Sequence, residues 1–269
     1  SSSNIAALFF IYLIGRDILN LKIGDQVTRI SHEHDILFKI VGFEGDIVFL
    51  KGVDLRLVAD SYVDDLVKVL DHKENDDKSI IEKNVRDLNI DRSQYFYLPG
   101  KILHIDGDEE YLERCMKFYE DMNVKANGIA LKEIEMPNKI LALLEEFQPD
   151  IVVVTGHDAY YSKKDDMKDN NNYQNTINFI DAVKVARKYE KSHDKLIIIA
   201  GACQSNYEEL IIAGANFASS PKRINIHALD PAIIASSLAL SDRNKSIDLI
   251  HLIEKTKYGK DGIGGIITN

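Results

Sequence analysis

Cysteine is scarce in this chain: Cys115 and Cys203 are the two thiols among 269 residues. Cys115 sits in a charged, helix-like pattern and Cys203 at the end of an apolar run. No CxxC or Cys/His ligand spacing occurs, which excludes a disulfide framework and a structural zinc site. Neither a metal nor a cofactor is expected, and reduced thiols point to a cytosol-like compartment. Basic residues are also short, with 33 Lys and Arg against 43 Asp and Glu and a formal charge of −10. Non-specific nucleic-acid binding, which needs a basic footprint, is therefore not expected. The apolar run at residues 5–14 falls short of the ~20 residues of a membrane span. It lacks the basic flank of a signal peptide as well, so no membrane partner is expected. Phosphate-cradling glycine motifs are missing: Gly262-Ile-Gly-Gly265 precedes no helical pattern and reads as a C-terminal loop.

What is present is an ordinary apolar fraction of 45%, enough for one large domain or two modest ones. Residues 1–21 form an N-terminal extension. Residues 22–70 alternate hydrophobic stretches with turn signals such as Glu44-Gly-Asp46 and Lys51-Gly52, the pattern of a small β-rich, SH3-like module. Residues 71–95 read as a polar linker, or as a solvated helix around 79–89. Residues 96–269 change character. Strand patterns at 101–106, 124–131, 151–154, 196–200 and 215–219 alternate with helical patterns at 109–122, 137–147, 176–189 and 207–213. Such alternation gives an α/β domain whose mostly parallel sheet is flanked by helices.

Two of those strands match. Ile151-Val-Val-Val-Thr-Gly-His157 and Leu196-Ile-Ile-Ile-Ala-Gly-Ala-Cys203 each run through β-branched residues to a glycine and then present a reactive side chain. Ligands gather at the carboxyl ends of parallel strands, so an imidazole and a thiol emerge on one sheet edge. A thiolate is the nucleophile, and a histidine in reach supplies the base and later the acid. Cys203 is the candidate nucleophile and His157 the candidate base. The backbone N–H groups of Cys203 and Asp158 are candidates for stabilising an oxyanion. A helix opening at Gln204 would add its positive end to the thiol's surroundings. His227 competes for the base role, because Gly201-Ala-Cys-Gln-Ser205 loosely resembles the nucleophile elbow of amidotransferase and DJ-1-like hydrolases, in which the histidine follows. A non-catalytic protein-binding scaffold is a further alternative. His104 and His193 read as structural or solvated.

In Thr155-Gly-His-Asp158 and Ala200-Gly-Ala-Cys203, one strand ends in a histidine and a later one in Ala-Cys, an arrangement that resembles the caspase–haemoglobinase cysteine peptidases. That family usually carries Gly directly after the histidine, where this chain has Asp158. Longer strings are similar to the YabG family of sporulation-specific proteases: Lys22-Ile-Gly-Asp25, Leu98-Pro-Gly-Lys101, Leu103-His-Ile-Asp-Gly-Asp108, Thr155-Gly-His-Asp-Ala-Tyr160, Ala200-Gly-Ala-Cys-Gln-Ser205, Ala213-Gly-Ala-Asn-Phe-Ala-Ser-Ser-Pro221 and Asn225-Ile-His-Ala-Leu-Asp-Pro231. The resemblance implies a cysteine endopeptidase that trims spore coat and related spore proteins, cleaving after arginine. It implies the mother-cell cytoplasm or the spore coat as its location. A P1 arginine needs a carboxylate in the S1 pocket; Asp106, Asp108 and Asp158 are the candidates, with Asp230 in reserve. Self-processing is expected at Arg16, Arg29 or Arg92, in termini, turns or linkers.

Overall fold

Residues 26–68 alternate apolar and polar side chains, and this period places Val27, Phe38, Ile40, Val48, Leu50 and Leu66 together in a small core. A computed structural model describes residues 21–87, 99–161, 167–241 and 248–265. It divides into two compact units between Asp76 and Asp77. The first contains strands β1 (Gln26–Arg29), β2 (Phe38–Glu44), β3 (Ile47–Gly52), β4 (Val58–Tyr62) and β5 (Leu66–Lys68). They form one antiparallel sheet in the order β4-β3-β2-β1-β5. The two-residue Gly45-Asp46 connection joins β2 to β3 with Gly45 at φ 60°, the turn chemistry of a tight hairpin.

The second unit opens with α1 (Asp77–Asp87) and continues through β6 (Ile102–Asp106), α2 (Glu109–Asp121), β7 (Ala126–Ala130), α3 (Met136–Phe147), β8 (Ile151–Thr155), α4 (Thr176–Tyr189), β9 (Ile197–Ala200), α5 (Tyr207–Ala213), β10 (Phe217–Ser219), α6 (Asp230–Ala239), α7 (Leu249–Ile253) and β11 (Ile263–Gly265). Its sheet runs β11-β10-β9-β8-β6-β7, parallel except for β11. Both faces are covered, as the unbroken apolar strands require. Ile151 and Val153 pack into a cluster with Phe118, Leu229 and Ile233, while Val152 and Val154 meet Leu103, Ile140, Leu144 and Phe179 on the other face. The α/β character and mostly parallel sheet agree with the sequence pattern.

Three elements depart from it: β11, α6 and the five-residue α7, which no helical pattern announced. Gly262–Gly265, expected as a loop, contributes β11, paired to β10 through Phe217↔Gly265 and Ser219↔Ile263. A Cβ at Gly264 or Gly265 would collide with the Tyr207 or Phe217 ring, so glycine there serves tertiary packing that no local pattern announces. Helix α6 is buried over nearly its whole length and lacks the polar face that marks an amphipathic helix. Helix α1 falls within the stretch expected as a linker; Arg114 of α2 clamps it through Asp77 with bonds of 2.6 and 2.7 Å. Among the described residues no helix is long and apolar enough to cross a membrane.

Candidate active site

Three adjacent strands end at one edge. The β6/β8 register pairs Asp106 with Thr155, and the β8/β9 register pairs Val154 with Ala200. The segments that follow, Gly107-Asp108, Gly156-His157-Asp158 and Gly201-Ala202-Cys203, therefore leave the sheet side by side. Gly201 turns the chain at φ 98°, and a Cβ there would sit 2.7 Å from Leu210 Cδ1. Glycine satisfies both the left-handed backbone and the close packing.

His157 is held from several sides. Its Nε2 donates to Asp108 Oδ2 at 2.8 Å, and its ring leans on Tyr111 with centroids 5.7 Å apart. Its backbone N–H donates to Glu133 Oε1 at 2.8 Å, and its carbonyl accepts from Asn175 Nδ2 at 2.9 Å. Nδ1 is buried and has no hydrogen-bond partner among the described residues. With Nε2 carrying the proton toward a carboxylate, Nδ1 of the neutral ring keeps its lone pair. Asp108 is fixed in turn, because its Oδ1 caps α2 by accepting from Tyr111 N at 3.1 Å.

Cys203 is fully buried. Its Sγ accepts from Ile226 N at 3.2 Å, so segment 224–228 lies over the thiol. No hydrogen bond joins it to His157 in this state. Gln204 follows in the left-handed region at φ 57°, its N–H shared by Ser220 Oγ and Ile224 O, each at 3.1 Å. Helix α5 begins only at Tyr207, after Asn206. The sequence expectation of a helix opening at Gln204 is thus not met, and a helix-end field fades beyond the first turn.

The competing His227 is fully buried one residue beyond Ile226. Its Nδ1 accepts from Leu229 N at 3.1 Å and its own N–H is taken by Asp230 Oδ2 at 2.9 Å. Nε2 then carries the proton of the neutral ring, which makes that nitrogen a donor.

The expected S1 carboxylates are all occupied within the structure. Asp106 is fully buried, with Oδ1 accepting from Asp108 N at 3.0 Å and Oδ2 3.5 Å from His104 Nε2. His104 itself bonds Tyr119 Oη at 2.8 Å, a structural placement. Asp108 serves His157 and the α2 cap. Asp158 accepts from Ala159 N, Asn175 N, Thr176 Oγ1 and Ser205 Oγ. Burial pushes its carboxyl up despite those donors. Because Ser205 Oγ also accepts from Ala202 N at 2.9 Å, Asp158 braces the histidine loop against the cysteine loop. Asp230 Oδ1 is taken by Lys257 N at 2.9 Å. The sequence reading missed Glu133, whose contact with His157 is invisible without the fold. Only its place directly after a strand, β7, hinted at the sheet edge.

Segment 220–228 is pinned by Arg223. Its guanidinium donates to Tyr173 Oη at 2.8 Å, Asn206 Oδ1 at 3.2 Å and Glu208 Oε2 at 2.5 Å. Tyr173 closes the loop that starts at Tyr160 through a bridge between the two; residues 162–166 of that loop lie outside the described residues. Of the expected self-processing positions, Arg29 ends β1 opposite Leu66 rather than lying in a turn. Arg16 and Arg92 lie outside the described residues.

An α/β sheet whose edge carries a carboxylate-held histidine beside a cysteine suits a peptidase, and the comparisons agree. Residues 22–269 match the family described as YabG peptidase U57, and the chain belongs to that family. It is 39% identical over 277 residues to the sporulation-specific protease YabG of Bacillus subtilis (strain 168), covering 93% of this chain and 96% of that protein. No solved structure matches.

Proposed function

We propose that this chain is a cysteine endopeptidase of sporulation, with Cys203 as nucleophile, His157 as general base and acid, and Asp108 as the residue that positions His157. The observation that carries this reading is the 2.8 Å Asp108–His157 bond, which leaves a buried Nδ1 without a hydrogen-bond partner on the residue that follows β8, the strand paired with the one leading to Cys203. The two ring nitrogens point in divergent directions. Asp108 follows β6 on one flank of β8, and β9, which precedes Cys203, lies on the other.

In the reaction Nδ1 takes the thiol proton and the thiolate adds to the scissile carbonyl carbon. The oxyanion is met by the backbone N–H groups of Cys203 and Asp158. The imidazolium then returns its proton to the leaving amine, giving a thioester. Water, deprotonated by His157, hydrolyses the thioester and restores the thiol. Since Cys203 is capped by Ile226 N–H, turnover requires segment 220–228 to lift.

The sheet order and the His and Cys strand ends support a caspase–haemoglobinase-like unit over residues 96–269, and the five-stranded antiparallel unit supports an SH3-like module. Family membership and the relative's name support proteolysis during sporulation; spore coat and related spore proteins as substrates, cleavage after arginine, and action in the mother cell or at the coat are part of the proposal. Self-cleavage at Arg29 would first require β1 to come apart.

His227 is the second reading, favoured by its place next to the residue that touches Sγ. The test is turnover of a fluorogenic arginyl peptide and a coat protein by wild type, Cys203→Ala, His157→Ala and His227→Ala. Activity is expected to vanish in the first two variants and persist in the third. Loss through His227 alone would transfer the base role to it, and turnover surviving Cys203→Ala would refute cysteine catalysis.

A further inference from the structure

Of the three carboxylates that sequence reasoning offers for a P1 arginine, Asp106 is fully buried and Asp108 and Asp158 are committed to internal bonds, whereas a fourth at the same edge is half-buried and only partly committed. Glu133 is half-buried at the start of the turn that follows β7, and its side chain reaches back over the ends of β6 and β8. A Cβ at Gly107 would overlap its carboxylate, and one at Gly156 would lie 2.5 Å from Oε1. Both strands thus end in a residue with no side chain where that carboxylate lies. Oε1 accepts from His157 N at 2.8 Å, whereas Oε2 accepts no hydrogen bond among the described residues. Each carboxylate oxygen has two acceptor sites, so three of the four remain for an incoming donor.

We propose that Glu133 is the residue that reads a basic P1 side chain, its carboxylate receiving the guanidinium of an arginine whose carbonyl lies against Cys203. This rests on the cysteine-peptidase reading with its arginine preference. The placement suits it. Cys203 follows β9, His157 follows β8, and Glu133 covers the ends of β8 and β6. Neighbouring strands lie about 4.8 Å apart, so the carboxylate stands one to two spacings to the side of the thiol, within the span of an extended arginine. A planar guanidinium meets Oε2 and the spare site of Oε1 together, which favours arginine over lysine. The bond from Oε1 to the His157 amide couples recognition to the base: the group that reads P1 also anchors the backbone of the residue that activates the nucleophile.

The experiment compares kcat/KM on paired peptides with arginine or citrulline at P1, the latter an uncharged mimic of the same size. Wild type and Glu133→Gln are measured together; the glutamine still accepts from His157 N but carries no charge. The arginine-to-citrulline ratio cancels any effect on the histidine. Wild type is expected to favour arginine by about 100-fold or more, and Glu133→Gln to lower that ratio at least about tenfold. Should Glu133→Gln fail to fold, Gly107→Ala, whose methyl group displaces the carboxylate, is expected to lower the ratio as well. A wild type that favours arginine while the variants keep its ratio would overturn the role of Glu133 and leave the peptidase reading standing. A wild type that cleaves both peptides equally, with turnover abolished in Cys203→Ala, would overturn the arginine preference and this assignment with it.

Discussion

Two side-chain bonds of Asp108 have losses that separate in an experiment. Through Oδ1 it caps α2, and through Oδ2 it orients His157. Removing an Asp N-cap costs about 1 kcal/mol of stability. Removing the carboxylate behind a catalytic histidine costs about 10⁴-fold in kcat, or slightly more, where this has been measured in triad enzymes. At 1.36 kcal/mol per decade that is roughly 5.5–6 kcal/mol of transition-state stabilisation. Asp108→Ala is therefore expected to stay folded, with urea unfolding showing a loss of about 1 kcal/mol, while kcat on an arginyl peptide falls about 10⁴-fold. KM should change little, because Asp108 acts through His157 and not on the substrate. A variant within about tenfold of wild-type kcat would refute the orienting role. So would a loss of activity that merely follows the unfolded fraction.

Two other expectations follow from bonds around the same edge. Arg223→Ala removes the charge-assisted bonds to Tyr173, Asn206 and Glu208, worth about 1.5–3 kcal/mol each at most. Alkylation of Cys203 by iodoacetamide, read by mass spectrometry of its peptide, should then speed up about tenfold or more as segment 220–228 opens; an unchanged rate would show that Arg223 does not hold the cover. Burial keeps the Asp158 carboxyl above its ordinary value of 3.8, so the folded chain releases this proton at higher pH than the unfolded chain. Its contribution to stability is full below the unfolded pKa and is lost as pH rises through the folded one. Denaturation from about pH 3 to about pH 7 should show wild type losing stability relative to Asp158→Asn as pH rises, and a constant difference would contradict the raised pKa.

Local pattern alone determined a large share of this molecule. The β-branched runs at 151–155 and 197–200 are buried on both faces, and such runs have few homes other than a parallel sheet. Glycine after each run marked the turn, and His157 and Cys203 followed from it. Helices α2 to α5 were legible because each shows one apolar stripe. Three elements lack such a signal: α6 is apolar all round, α7 spans only five residues, and β11 consists of three residues whose glycines answer to the Tyr207 and Phe217 rings.

Site chemistry split along the same line. Sequence named a candidate nucleophile, a candidate base and a set of acidic residues, since these depend on residue type and strand ends. It could not assign the carboxylates. Asp106, Asp108 and Asp158 look alike in the chain, yet one is sealed beside His104, one holds His157 and caps a helix, and one ties two loops together. Glu133 lies 24 residues from the histidine whose amide it binds. A carboxylate's role is set by which donors reach it, and those donors arrive from elements brought together only when the sheet is assembled.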